Sequence, residues 1–74
     1  MVDHQKSSEK VGRNLRKVRK QKGLMQIDVA VATNLNRTYI SRIENGKTRV
    51  TLGLLLRLVK GLDIKSGDLL EQYV

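Results

Sequence analysis

The side chains of this chain that can take part in chemistry are mostly cationic. Fifteen of its 74 residues are Lys or Arg and seven are Asp or Glu, so the formal net charge at pH 7 is +8. Residues 1–49 hold twelve basic and four acidic side chains, whereas residues 50–74 hold three of each. A positive field attracts polyanions, and each phosphate that it neutralises releases counterions. Nucleic acid is therefore the first partner to consider, and a merely solvated basic surface is the alternative.

Groups suited to catalysis or metal binding are scarce. The chain has no Cys, and its single His, His4, lies in a polar leader. It shows no pair of acids, no nucleophile beside a base and no glycine-rich loop that could hold a phosphate. The sequence therefore predicts that the protein is not an enzyme and has no metal or cofactor.

The length predicts one domain with a thin core, because so small a domain buries only about 60% of the surface that its unfolded chain exposes. No apolar segment approaches a signal h-region or a membrane span in length, so we expect a soluble, cytoplasmic, nucleoid-associated protein. The first helix has a narrow apolar stripe without aromatic anchors, which argues against membrane-surface binding. No residues are left for a second domain that binds a small molecule, so regulation would act through concentration.

Two short helices joined by a tight turn are predicted between Gln26 and Glu44. The first runs from about Gln26 to Thr33 and the second from about Arg37 to Glu44. Asn34 tolerates the positive φ that such a turn requires, and Asn36 can cap the second helix through its side-chain oxygen. Small apolar residues on the first helix allow the two to cross closely. This pattern favours a helix-turn-helix.

Three further helices are predicted around this pair. Residues 1–7 show no periodicity and are expected to form a flexible arm, which leaves residues 8–74 as the domain. The expected helix caps are Ser7 or Ser8 for the first helix, Thr51 for the fourth and Ser66 for the fifth. The fourth helix is rich in leucine and carries more apolar surface than one core needs.

The stretch from Gln26 to Lys47 resembles the Cro/C1-type helix-turn-helix family, and its run Tyr39–Gly46 is the most specific part. The resemblance covers the chain from about Val11 to Leu70. It implies an all-α, five-helix, lambda-repressor-like DNA-binding domain that works as a dimer. Two positions depart from the family pattern. Asn34 stands where the family prefers Gly, and Met25, which cannot cap a helix, stands where the family has Ser or Thr.

The resemblance also assigns roles to individual side chains. Those expected to contact bases are Asn36, Arg37, Thr38, Ser41 and Arg42. Those expected to contact phosphates are Gln26, Tyr39, Asn45, Lys47 and Arg49. The two arginines of the second helix suit guanine O6 and N7, although either can instead hold a phosphate. For Tyr39 the alternative is packing against the first helix.

Arg19 and Glu44 match a pair that forms an ion pair in the resembling repressors. Such a pair would link the first helix to the end of the recognition helix, and if it is buried its loss leaves a charge unpaired. The alternative is two solvated charges.

The surplus leucines predict a surface for a second copy of the chain. The residues expected there are Leu54, Leu56, Leu70, Tyr73 and Val74, with either Leu54 or Leu56 as the contribution of the fourth helix. The alternative is a slightly wider core.

Together these features predict a sequence-specific transcription regulator that binds a pseudo-palindromic operator in double-stranded DNA as a homodimer. The resembling family includes short phage repressors and the small controller proteins of restriction-modification systems. The resemblance in size favours a stand-alone controller protein with autoregulation. Asp28 is a candidate contact for RNA polymerase, while repression and activation both stay open. The alternative function is an antitoxin-type module that neutralises a toxin and also binds DNA.

Overall fold

The structure is a computed structural model and describes residues 4–70. Its five α-helices are α1 (His4–Gln21), α2 (Gln26–Thr33), α3 (Arg37–Glu44), α4 (Leu52–Leu62) and α5 (Ser66–Leu70). No strand occurs in this part of the chain, so the all-α prediction is confirmed. Among these helices none is both long and apolar enough to cross a membrane.

Helix α1 begins earlier than the sequence predicted. It starts at His4, so residues 4–7 are helical, whereas the sequence indicated no regular structure there; the flexibility of the arm stays a prediction. Ser8, predicted as a cap, lies inside the helix and is buried. Its hydroxyl oxygen instead accepts a hydrogen bond from the backbone N–H of Val50, at 2.9 Å. A tertiary contact thus uses the oxygen that a local cap would have used.

The turn between α2 and α3 has the predicted geometry. Asn34 adopts the left-handed conformation with φ of 57°, and the following N–H, that of Leu35, donates to the carbonyl of Ala30 at 2.9 Å. This pattern satisfies carbonyl groups that the end of α2 would otherwise leave unpaired. Asn36 then caps α3, because its side-chain oxygen accepts from the N–H of Tyr39 at 2.7 Å. The turn fixes how the two helices cross.

Two other helices begin with an acid in the first turn that bonds back to the preceding backbone. The N–H of Met25 donates to the Asp28 carboxylate at 2.7 Å, and the N–H of Lys65 donates to Asp68 at 3.0 Å. The Asp28 carboxylate therefore satisfies the N–H of Met25, while the Met25 side chain provides no cap bond to the first turn of α2. Ser66, the predicted cap of α5, is the first residue of that helix instead.

Helix α4 is capped as predicted, since the Thr51 hydroxyl accepts from the N–H of Leu54 at 3.2 Å. Its core-facing residues are Leu54, Leu55, Leu58 and Leu62. Of the two leucines between which the interface prediction left the choice open, Leu54 is only 9% exposed, and Leu56 is the exposed member of the pair.

Helix α3 rests on α1 and α2, while α4 and α5 complete the core behind them. The fully buried side chains that join these layers are Leu15, Val29, Ile40, Ile43, Leu58 and Leu69. Two glycines allow the helices to approach closely. A Cβ on Gly12 would lie 2.0 Å from the carbonyl oxygen of Ile43, and one on Gly61 would lie 2.8 Å from that of Ala32. Gly12 therefore permits the seating of α3 against α1.

Candidate nucleic-acid interface

The outer side of α3 collects the residues predicted to contact bases. Its inner side is buried through Ile40, Ile43 and Glu44. Of the predicted base-contacting set, Ser41 is half-buried and the exposed members are Asn36, Arg37, Thr38 and Arg42. All five belong to one short helix and its cap. The structure therefore presents them together on a single polar surface of the width that a major groove admits.

The two arginines of this surface differ in whether their guanidinium groups already donate a hydrogen bond within the protein. Arg42 donates through Nη2 to the carbonyl oxygen of Lys47, at 3.0 Å. The side chain of Arg37 forms no hydrogen bond or ion pair with any other described residue. Because a guanidinium has five N–H donors, Arg42 retains most of its donors while the loop holds its position. Arg37 has its whole guanidinium available to an external acceptor.

The loop after α3 presents the predicted phosphate contacts. Gly46 adopts φ of +69°, and the N–H of Lys47 donates to the carbonyl of Arg42 at 2.8 Å, which closes the end of the helix. Asn45 donates through Nδ2 to the Ser41 carbonyl at 2.9 Å, so its amide is turned back on the helix. The side chains of Lys47 and Arg49 are exposed. Two flexible cations therefore lie next to the base-contacting surface.

A buried polar network lies behind the recognition helix. Arg19 Nε is 2.6 Å from Glu44 Oε2, and Arg19 Nη2 donates to Oε1 at 3.0 Å. The side chains are only 12% and 2% exposed, respectively. Arg19 also donates to the carbonyl of Leu24 at 3.0 Å. The predicted pair is therefore a bidentate, largely buried ion pair, not two solvated charges.

The same network reaches α2 through Gln26. Its Nε2 donates to Glu44 Oε1 at 3.2 Å, so one carboxylate joins α1, α2 and α3. This bond uses one N–H of the Gln26 amide and leaves the second for another acceptor at the N-terminus of α2, where the helix dipole favours an anion. The hydrogen bond to Glu44 raises the pKa of Arg19, and burial opposes that rise.

Tyr39 lies on the side of α3 between the surface and the core. It is half-buried and packs against the core cluster. Its ring therefore contributes to packing, and any contact with a phosphate would come from the hydroxyl at the ring's edge.

Exposed leucines lie on α4 and α5. Leu56 and Leu70, both predicted at an interface, are each 54% exposed, and Leu52, which the sequence analysis did not single out, is 70% exposed. Tyr73 and Val74 lie outside the described residues. An exposed leucine at the first turn of α4 could have been noticed from the helical spacing of Leu52 and Leu56.

The comparisons with known proteins agree with this geometry. A family model described as helix-turn-helix matches residues 15–69. The control protein C.MunI of Mycoplasma sp is 44% identical over 59 residues, which are 78% of this chain and 80% of that protein. The HTH-type transcriptional regulator PrpR of Mycobacterium tuberculosis is 33% identical over 55 residues, so this chain spans only 11% of its length.

Solved structures resemble the whole arrangement. The restriction-modification controller protein C.AhdI from Aeromonas hydrophila matches with a TM-score of 0.78 at 37% identity, over 84% of this chain and 94% of that one. The controller protein C.Esp1396I, solved as a tetramer with its natural 35-base-pair operator, matches with a TM-score of 0.74 at 40% identity, over 78% and 76%. The chain therefore belongs to the helix-turn-helix family. It is a DNA-binding regulator of transcription, and restriction-modification controller proteins are among its relatives.

Proposed function

We propose that this protein is a restriction-modification controller that binds a pseudo-palindromic operator as a dimer and regulates its own promoter. The observation that supports this most directly is the outer side of α3, where polar and cationic side chains gather on a helix held from behind by the Arg19–Glu44 pair. The similarity to C.MunI over most of both chains favours a controller over other helix-turn-helix regulators. The matched proteins named above are regulators and controllers, which gives the antitoxin alternative no support.

In this proposal each subunit inserts α3 into one major groove, and the half-site centres lie about 34 Å apart or a multiple of that distance. Arg37, with its guanidinium unused, is the stronger candidate for a bidentate contact to guanine, and Arg42 is the second. Gln26, Lys47 and Arg49 would contact phosphates and set the position of the helix without selecting a sequence. Because the proposed partner is operator DNA, we expect the protein in the cytoplasm.

The exposed leucines of α4 and α5 are the proposed surface for the second subunit. Burying Leu56 and Leu70 against a symmetry-related copy would remove apolar area from water at about 25 cal/mol per Å². Two linked recognition helices would bind the operator far more tightly than one, because the second binding event becomes intramolecular. The concentration of the protein would then act as the regulatory signal.

An activating contact with RNA polymerase would use the exposed carboxylate of Asp28. That carboxylate also accepts from the N–H of Met25, so its removal would disturb α2 as well. Asp28→Asn separates the two roles, because the amide oxygen can still accept the cap bond. If the contact exists, this variant loses activation in a transcription assay while operator affinity stays as in the wild type and stability falls by at most about 1 kcal/mol, from the lost charge at the N-terminus of α2.

The decisive experiment is binding of alanine variants to operator and arbitrary DNA, after footprinting upstream of the protein's own gene has located the operator. Arg37→Ala and Arg42→Ala should each cost about 1–3 kcal/mol on the operator and relax specificity at one base pair. Arg57→Ala, which removes an exposed cation from α4, is the matched control and should leave specificity unchanged. Equal losses on operator and arbitrary DNA for both α3 arginines would contradict the base-reading role.

A further inference from the structure

The outer edge of α1 carries cations that the helix-turn-helix itself does not use. Exposed basic side chains there are Arg13, Arg16 and Lys20. Gly12, which touches the backbone of Ile43, shows which side of α1 faces α3. Arg16 and Lys20 follow Gly12 by four and eight residues, so they lie on the same side and turn toward solvent by only about 40° per step. This edge therefore borders the C-terminal end of α3.

Contacts at both ends of the edge tie it to the proposed phosphate-binding loop and to α2. Arg13 lines a shallow cavity together with Glu44, Asn45 and Gly46, so the edge borders the loop after α3. Arg19, one residue before Lys20, bonds to Glu44, which also receives Gln26. The cations of α1 are thus continuous with the groups at the end of α3 and the start of α2.

The acidic groups near this edge leave two of its cations uncompensated. Glu9 lines the same cavity as Arg13, one turn before it, and offsets its charge. Glu44 is already occupied by Arg19. Within the described part of the chain, the side chains of Arg16 and Lys20 form no ion pair or hydrogen bond. Among these residues, no acid therefore neutralises the two charges directly.

We propose that Arg16 and Lys20 contact DNA phosphates beside the groove that α3 enters, which extends the interface from the helix-turn-helix onto α1. The inference rests on the proposed docking of α3 in the major groove and adds a sequence-independent contact to it. Each phosphate neutralised adds about 0.9 to the slope of log K against log salt concentration. Two contacts at this edge thus account for nearly two units of the slope.

The test compares two double variants that remove the same charge from different surfaces. Arg16→Gln/Lys20→Gln alters the α1 edge, and Arg57→Gln/Lys60→Gln alters exposed cations on α4, which border the end of α2 near Asn34. Binding to a 35-base-pair duplex of arbitrary sequence is measured by fluorescence anisotropy across a salt series. The α1 variant should reduce the slope by about one to two units, while the α4 variant leaves it within error of the wild type.

An equal reduction in both variants would mean that only the overall field matters, and no reduction in the α1 variant would mean that no contact exists; either result overturns the inference. Wild-type protein that fails to bind any duplex would instead contradict the DNA-binding role itself. Circular dichroism establishes that both variants fold.

A second measurement uses the absence of cysteine from the chain. Arg16→Cys and Arg57→Cys each create one attachment point for an iron chelate that cleaves nearby DNA. The chelate at position 16 should cut the arbitrary duplex strongly, and the chelate at position 57 should cut it weakly. Equal cutting from the two positions would rule out preferential contact by α1.

Discussion

The side of α3 that faces α1 and the side of α4 that faces the core are both buried, but with different kinds of side chain. On α3 the inward residues include Glu44, which is bonded to Arg19 and Gln26, whereas all the buried residues of α4 are leucines. A directional network fixes orientation, because each bond requires a particular geometry, while leucines tolerate small shifts. The helix proposed to enter the DNA groove is therefore held in a defined orientation by directional bonds, whereas α4 is held by apolar burial.

The largest expected effect comes from breaking the network. Glu44→Ala leaves the guanidinium of Arg19 largely buried without its carboxylate partner, so the free energy of unfolding should fall by about 3–5 kcal/mol. Urea denaturation followed by circular dichroism measures the loss. Exchanging the charges, Arg19→Glu with Glu44→Arg, should retain more stability than either single alanine variant. If the exchanged pair and the two single variants lose the same amount, the pairing does not stabilise the fold.

Substituting alanine for a glycine at the α1–α3 contact and for a glycine on α4 should change the free energy of unfolding in opposite directions. Gly12→Ala places a methyl group against the Ile43 carbonyl, so it should destabilise the protein by about 1–3 kcal/mol or more. Gly53→Ala on α4 meets only Thr51 Oγ1, at 4.0 Å, and should stabilise by roughly 0.5–1 kcal/mol through the lost freedom of glycine. Thermal denaturation distinguishes them. A stabilising Gly12→Ala would show that α1 and α3 can separate without cost.

Removing the side-chain caps of α3 and α4 should reduce stability equally but reduce operator affinity unequally. Asn36→Ala and Thr51→Ala each remove one cap bond and should each lower stability by about 1 kcal/mol. Only Asn36→Ala should also weaken operator binding beyond what the stability loss explains, since it lies at the start of the recognition helix. Equal operator affinities for the two folded variants would place Asn36 outside the interface.

The smallest expected change in stability is at Leu56. Leu56→Gln alters an exposed side chain of the monomer and should change its unfolding free energy by about 0.5 kcal/mol or less. If the exposed leucines bind a second copy, the same change should weaken self-association in sedimentation equilibrium and lower operator affinity. Lys60→Gln, on the same helix, is the matched control. Unchanged association in Leu56→Gln would remove this leucine from the dimer surface.

Local sequence signals predicted most of the helix-turn-helix. The bounds of α2 and α3, the left-handed Asn34 and the Asn36 cap all depend on residues within a few positions of one another, and the structure has them as expected. The partnership of Arg19 and Glu44 joins distant positions, and it came from the family resemblance, since spacing alone cannot indicate a contact across 25 residues.

What the sequence did not predict depends on tertiary contact or on competing local bonds. Serine often caps helices, but the hydroxyl oxygen of Ser8 accepts a hydrogen bond from the N–H of Val50, and α1 begins at His4. The need for glycine at position 12 could not be predicted from the sequence, because it depends on how closely α3 approaches α1. Leu54 and Leu56 have equal hydropathy, and only the packing of α4 decides which of them is buried.

Helix α3 has two sets of positions: an inward set that includes Glu44 and an outward set of polar residues on the opposite side. The inward set is buried, whereas Arg37, Thr38 and Arg42 of the outward set are exposed. If α3 enters the groove as proposed, substitutions at Arg37, Thr38 or Ser41 would change which operator is preferred while the buried residues stay unchanged. A lineage of such proteins could acquire new DNA targets through a few exchanges on one helix, without refolding the rest of the domain.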